Sequence, residues 1–131
     1  MLDAGRWRPI FAELFPITAV AALSNDFKFP GTAEVLATGH EMGAKSVLVT
    51  DGPNPVVFSN KAGQNWVEKN EIPVPKVPTV DTLGAGDFFH GALIVALVRG
   101  LPLAEAIQFA TEIASMRVQH IGTRTWLSKL K

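Results

Sequence analysis

Apolar residues fall in short continuous runs along the first half of the chain and at helical spacing along the last third. Ile17-Thr18-Ala19-Val20-Ala21-Ala22-Leu23 is one such run, bounded by Pro16 and by Ser24-Asn25-Asp26. Ser46-Val47-Leu48-Val49-Thr50 is a second, stopped by the turn-forming Asp51-Gly52-Pro53-Asn54-Pro55. Runs of this length predict strands buried on both faces, as parallel sheets require. Between them, Pro30-Gly31-Thr32 opens a helical stretch with Thr32 as N-cap and Gly43 as the residue just past its end. Two further short strands are expected near Val56–Ser59 and Asn65–Lys69, and Lys61-Ala62-Gly63-Gln64 between them favours a hairpin. Pro73, Pro75 and Pro78 keep the next stretch extended.

After Gly86 the period becomes helical. One helix is expected over Asp87–Val98, closed by Gly100, and a second starts at Pro102. On the second, Leu103, Ala106, Ile107, Ala110, Ile113 and Ala114 share a face, and Gly122 sits where the helix should stop. A β-α-β-α-β order followed by a hairpin and two helices predicts an α/β fold with a mostly parallel, helix-covered sheet. No repeat, low-complexity tract or linker interrupts it, so the 131 residues read as one domain.

Composition narrows the function classes. Hydrophobic residues at 47% and charged residues at 18% suit a globular chain rather than a disordered one. Lys plus Arg (12) balance Asp plus Glu (12), which argues against nucleic acid or a membrane surface as partner. The absence of cysteine excludes a disulfide scaffold, a Cys-based zinc site and a thiol nucleophile. No apolar stretch approaches the roughly 18 residues of a membrane span, and Met1–Arg6 has no hydrophobic signal core. A cytoplasmic protein is expected.

Asp81-Thr82-Leu83-Gly84-Ala85-Gly86-Asp87 lies between the extended stretch and a helix. Gly84 and Gly86 allow a tight turn and close approach of a ligand, and Ala85 adds little bulk. Their N–H groups at a helix N-terminus suit a phosphate, and better still the charge that develops in phosphoryl transfer. Asp87 would repel a phosphate, so its natural role is general base toward an alcohol nucleophile. A helix cap with glycines present only for the turn is the plainer alternative.

This segment, continued through Phe88-Phe89-His90-Gly91-Ala92-Leu93, resembles the C-terminal signature of the ribokinase or PfkB carbohydrate kinases. The resemblance implies a ribokinase-like, partial three-layer sandwich: the C-terminal, nucleotide-binding half of that fold. It implies an anion hole formed by Gly84, Ala85 and Gly86, with Asp87 as catalytic base. Val47–Gly52 resembles the family's nucleotide-phosphate loop, which places Thr50 and Gly52 near ATP, although Pro55 stands where a second glycine is frequent. An ordinary strand-end turn is the alternative there. The last long helix resembles the adenine-side helix, with Thr111, Ala114 and Ser115 toward the base and Gly122 closing the pocket; plain core packing is the alternative. Asp81 and the backbone near Leu83 match the region where many members hold a monovalent cation such as K+, though Thr123–Trp126 departs from the family pattern. Ser24-Asn25-Asp26-Phe27 stands in place of an Asn-x-x-Glu motif that helps organise Mg2+ and phosphate. Ser24 replaces its Asn and Phe27 its Glu, leaving Asp26 or Asn25 to act through water, or a bland turn.

His40, His90 and His120 lack metal-ligand spacing, and Trp7, Trp66 and Trp126 suit packing. Family members are about twice this length, so the chain is expected to be a C-terminal part without the half that grips the sugar. Two functions follow from the resemblance. One is ATP- and Mg2+-dependent phosphorylation of a sugar-type hydroxyl. The other is a nucleotide- or anion-binding remnant, inactive alone, that self-associates or pairs with a missing N-terminal half.

Overall fold

β1 (Leu2–Ala4), β2 (Val20–Ser24) and β3 (Ser46–Asp51) lie side by side and parallel, Leu2 opposite Ala21 and Val20 opposite Ser46. The computed structural model describes residues 1–62, 65–66 and 69–129, with only the backbone of residues 62, 65 and 66. These residues form two compact units, Met1–Glu71 and Ile72–Lys131. In the first, β2 carries Ala21, Ala22 and Leu23 fully buried, the behaviour expected of a continuous apolar run. β4 (Asn54–Ala62) then runs antiparallel to β3 with Val47 opposite Ser59, so the sheet is parallel only as far as β3. β5 (Asn65–Trp66) pairs antiparallel with the end of β4, which gives the expected hairpin. Residues 63–64, expected as its turn, residues 67–68 of the expected strand and the Trp66 side chain lie outside the described residues. β6 (Asn70–Ile72) also pairs with β4.

Two expected boundaries move for local reasons. The strand expected from Ile17 begins at Val20, because Phe15–Ile17 forms a 3₁₀ turn around Pro16 and the Thr18 hydroxyl donates to the Leu14 carbonyl at 2.8 Å. Besides α1 (Phe11–Leu14), the unit has α2 (Val35–Glu41), which starts later than Thr32. The Thr32 hydroxyl accepts the Glu34 N–H at 3.1 Å, closing a turn ahead of the helix instead of capping it. α2 ends as expected at Gly43, at φ +113°; Gly43 N–H donates to His40 and Ala44 N–H to Gly39, the paired bonds of a Schellman motif. A Cβ on Gly43 would also meet the Pro16 backbone at 2.7 Å.

The core of this unit is aromatic. Phe15, Phe27 and Phe29 pack at ring separations of 4.9–6.4 Å, and Trp7 and Phe11 close over them. Phe27 is fully buried there, so its side chain serves the fold and does not replace an acid. His40 is buried as well. Its Nδ1 pairs with the Ala44 carbonyl at 2.9 Å, which requires Nδ1 to be the donor, and its Nε2 pairs with the Ser59 hydroxyl at 2.7 Å.

The second unit is two helices packed along each other, α3 (Ala85–Val98) and α4 (Leu103–Val118). Gly100, at φ +83°, ends α3 in a second Schellman motif, with Gly100 N–H on Leu97 and Leu101 N–H on Ala96. α4 buries Ala106, Ile107 and Ala110 as expected, then Thr111, Ser115 and Arg117; Ile113 and Ala114 are only half-buried. α4 also stops at Val118, short of Gly122. Trp126 is buried edge-on against Phe88 at 4.9 Å, and its indole N–H donates to Thr123. No helix among the described residues is long and apolar enough to cross a membrane.

Candidate functional site

The turn that feeds α3 is built by Asp81 and Gly84. Asp81 Oδ1 accepts the Leu83 N–H at 2.9 Å, and the Thr82 carbonyl accepts the Ala85 N–H at 3.1 Å. Gly84 sits at φ +77°, a left-handed conformation that favours glycine, and its carbonyl accepts the Phe88 N–H to start the helix. Ala85, Gly86 and Asp87 make the first turn of α3, where N–H groups have no partner inside the helix and the dipole favours an anion. Of the three N–H groups expected to converge there, that of Ala85 is already used by Thr82.

Gly86 is glycine for a different reason. It is exposed, its φ is not positive, and a Cβ placed on it would meet nothing within 4 Å. Glycine in a helix costs roughly 1 kcal/mol against alanine. Neither packing nor backbone conformation in this structure accounts for that cost. Asp87 is exposed beside it, with Oδ2 3.8 Å from where a Cβ on Gly84 would lie, so its carboxylate leans back over the turn.

Asp81 itself is engaged on both oxygens. Beyond Leu83, Oδ2 accepts the Gly122 N–H at 2.9 Å and Arg117 Nη2 at 3.1 Å. The Leu83 and Gly122 N–H groups, then Arg117, hold its carboxyl below the usual carboxylate value. Gly122, at φ +79°, therefore serves Asp81 rather than ending α4. Arg117 was not singled out from the sequence. The available signal was the lone cationic residue of α4, at helical spacing from Ala110 and Ala114 on the expected buried face, matched by one acid at the head of the glycine turn.

Thr111, with Ile72, Pro73, Val74, Pro75, Gln108 and Glu112, lines a cavity of about 290 Å³ in the same unit. Its hydroxyl donates to the Gln108 carbonyl at 2.7 Å, which leaves its methyl as the apolar contribution. Ser115 is buried and Ala114 half-buried, and neither lines that cavity.

In the first unit, Thr50 ends β3. Its hydroxyl donates to Leu23 at 3.4 Å and its carbonyl accepts the Asn25 N–H at 2.8 Å. Gly52 follows at φ +53° in an exposed turn, where Asn54 donates to Asp51 at 2.9 Å. At the carboxyl ends of β1 and β2, a cavity of about 620 Å³ is lined by Asp3, Arg6, Arg8, Ser24 and Asp26, among others. Open α/β sheets bind ligands at that end. No spacing along the chain joins Asp3, Arg6 and Arg8 with Asp26; the parallel pairing of β1 and β2 does so. Among the described residues, no three His, Asp or Glu side chains gather as a metal-binding group.

The model of the pfkB family carbohydrate kinases matches residues 19–130. An Arabidopsis thaliana ribokinase is 36% identical over 94 residues, which is 72% of this chain and 24% of that protein. A 2-dehydro-3-deoxygluconokinase from Haemophilus influenzae is 27% identical over 117 residues, 86% of this chain and 37% of that protein. Among solved structures, Arabidopsis thaliana ribokinase complexed with ribose and ATP superposes with a TM-score of 0.75 at 28% identity, covering 99% of this chain and 46% of that one. The chain thus spans less than half the length of these relatives. The expected ribokinase-like α/β architecture is the one found, and the chain belongs to the pfkB family of carbohydrate kinases.

Proposed function

We propose that this chain is the nucleotide-handling part of an ATP-dependent kinase that phosphorylates a hydroxyl of a sugar or sugar-derived substrate. The observation that carries the reading is the Gly84–Asp87 turn: an exposed helix N-terminus with open space over Gly86 and a carboxylate beside it. The N–H groups of the first turn would stabilise charge developing on the transferring phosphoryl group. Asp87 would orient the acceptor hydroxyl and take its proton late in the transfer, as suits a weak base. The cavity at Thr111 suits a nucleobase; Ala114, Ser115 and Gly122, which the family resemblance also assigns to the base, are not among the residues that line it. Thr50 and Gly52 are assigned to the nucleotide phosphates. Mg2+, when bound, neutralises the phosphates; it needs only one or two carboxylates besides them, so the lack of an acidic cluster among the described residues is compatible with it. Asp26, exposed at the cavity beyond β1 and β2, is the proposed contact through water.

The relatives' greater length supports a division of labour in which residues outside these 131 hold the acceptor. The second reading, a nucleotide-binding remnant that is inactive alone, rests on the same fact. Calorimetry with ATP and ADP on this chain tests the site. Binding is expected, weakened about tenfold or more by Gly86→Val, whose side chain fills the approach, and kept by Asp87→Asn. A coupled assay on a panel of ketoses, aldoses and nucleosides should show no turnover by the chain alone. In the longer kinase, Asp87→Asn should cut turnover by about 10²–10⁴-fold with ATP affinity unchanged or better. Turnover within a few-fold of the parent would remove Asp87 from the base role, and turnover by the isolated chain would remove the division of labour.

A further inference from the structure

Four oxygens from two separate loops converge on one side chain. Arg117 Nη1 donates to the Asp81 carbonyl at 3.1 Å and to the His120 carbonyl at 2.9 Å. Nη2 donates to Asp81 Oδ2 at 3.1 Å and to the Leu83 carbonyl at 2.5 Å. The guanidinium is fully buried, and its Nε makes no hydrogen bond. All of its bonding is therefore concentrated at the tip, where three peptide carbonyls and one carboxylate meet one positive charge. Carbonyl oxygens in a ring, with an acid to balance charge, are also what a dehydrated monovalent cation requires. The oxygens expected to hold such a cation, at Asp81 and Leu83, are the ones the guanidinium occupies. A second positive charge there would face the buried Arg117 guanidinium across the same oxygens, with the single Asp81 carboxylate to balance both. The residues present do not fit a bound K+.

We infer that Arg117 is a built-in cation: it takes the place of an exchangeable monovalent ion and positions the Asp81–Gly84 turn ahead of α3 without one. The tether makes the difference. An exchangeable ion holds the turn only as far as its concentration and affinity allow, whereas an arginine is present at unit occupancy and keeps its charge at any ordinary pH. Arg117 also joins the turn to the end of α4, because the His120 carbonyl shares Nη1 with Asp81 and the Gly122 N–H shares Oδ2 with Nη2. Arg117 is thus a positioning residue for the proposed anion site. The inference rests on that functional reading only for its nucleotide readout.

The test uses this chain in KCl, NaCl or tetramethylammonium chloride at equal ionic strength, with thermal unfolding and ADP calorimetry as readouts. For the parent, the unfolding midpoint should agree within about 1 °C and the ADP Kd within about two-fold across the three salts. Arg117→Lys should stay indifferent to the salt, since an ammonium still supplies the charge. Arg117→Ala should unfold at a lower temperature and regain several degrees in KCl but not in tetramethylammonium. A parent whose midpoint or ADP affinity rises specifically in KCl overturns the inference, as does an Arg117→Ala chain that is insensitive to every cation. Should Arg117→Ala not fold in any salt, the parent and Arg117→Lys decide the matter. An absence of ADP binding in every salt counts against the functional reading alone, because the unfolding midpoints still judge Arg117.

Discussion

At Gly84 the backbone lies at φ +77°, and two residues later Gly86 lies in ordinary helical conformation under open space. The two glycines therefore predict opposite responses to the same substitution. Gly84→Ala places a Cβ in the left-handed region and should destabilise the chain by about 1–2 kcal/mol. Gly86→Ala removes a flexible residue from a helix and should stabilise it by about 0.5–1 kcal/mol. If the free space over Gly86 is kept for a ligand, the stabilised variant should nonetheless bind ATP more weakly. Urea unfolding and calorimetry on both variants check this, and a Gly86→Ala chain that is both more stable and fully competent to bind would leave that glycine unexplained. Asp81 makes a pH prediction at the same scale. Its carboxyl lies below the ordinary value of 3.8, held there by the Leu83 and Gly122 N–H groups and by Arg117. A lowered folded value means the contribution is complete above the unfolded value and is lost as pH falls through the folded one. Stability owed to Asp81 should hold from neutrality down to about pH 4 and decline below it. Asp81→Asn should lower the unfolding midpoint at neutral pH and flatten that acid limb, as a thermal scan at a series of pH values would show.

Among the elements, end signals were readable where they are purely local. Gly43 and Gly100 each follow an apolar helical run, and each closes a Schellman motif whose two hydrogen bonds need only the helix and the glycine. Gly122 carries the same signal and fails as one, because its N–H is drawn to an acid 41 residues away in sequence. Thr32 misleads in the same manner, spending its hydroxyl on a turn before α2. The face of α4 was legible through Ala110 and then hidden. Thr111, Ser115 and Arg117 are buried in preference to Ile113 and Ala114, and a polar residue on a buried face has no hydrophobic period to announce it. The glycine turn and Asp87 were legible because their chemistry is contiguous. Arg117 was not, since its partners come from positions 81, 83 and 120, and only the fold gathers them. The cavity beyond β1 and β2 was invisible for the same reason: it depends on the pairing that sets Ala4 opposite Leu23.

For the molecule as a whole, the apolar surface left open is a physical statement about association. On α3, Ile94, Val95 and Val98 are 45%, 43% and 82% exposed, and Gly91 one turn earlier is exposed as well. Positions 91, 94, 95 and 98 lie at helical spacing on one face. A stripe of this kind on a helix of fourteen residues is unusual for a surface meant only for water. The chain also spans 46% of a ribokinase with which it superposes over 99% of its own length, so the relative has as much chain again with which to cover such a face. The proposed consequence is that these 131 residues self-associate when alone. Sedimentation velocity should show a concentration-dependent mass above that of one chain. Val95→Lys combined with Val98→Lys should shift the population toward monomer while leaving ADP binding intact, because lysine is tolerated on an exposed helix and neither residue belongs to the Gly84–Asp87 turn. A parent that stays monomeric across a wide concentration range would mean that this stripe drives no association of the isolated chain. A double variant that associates as strongly as the parent would move the contact to another surface.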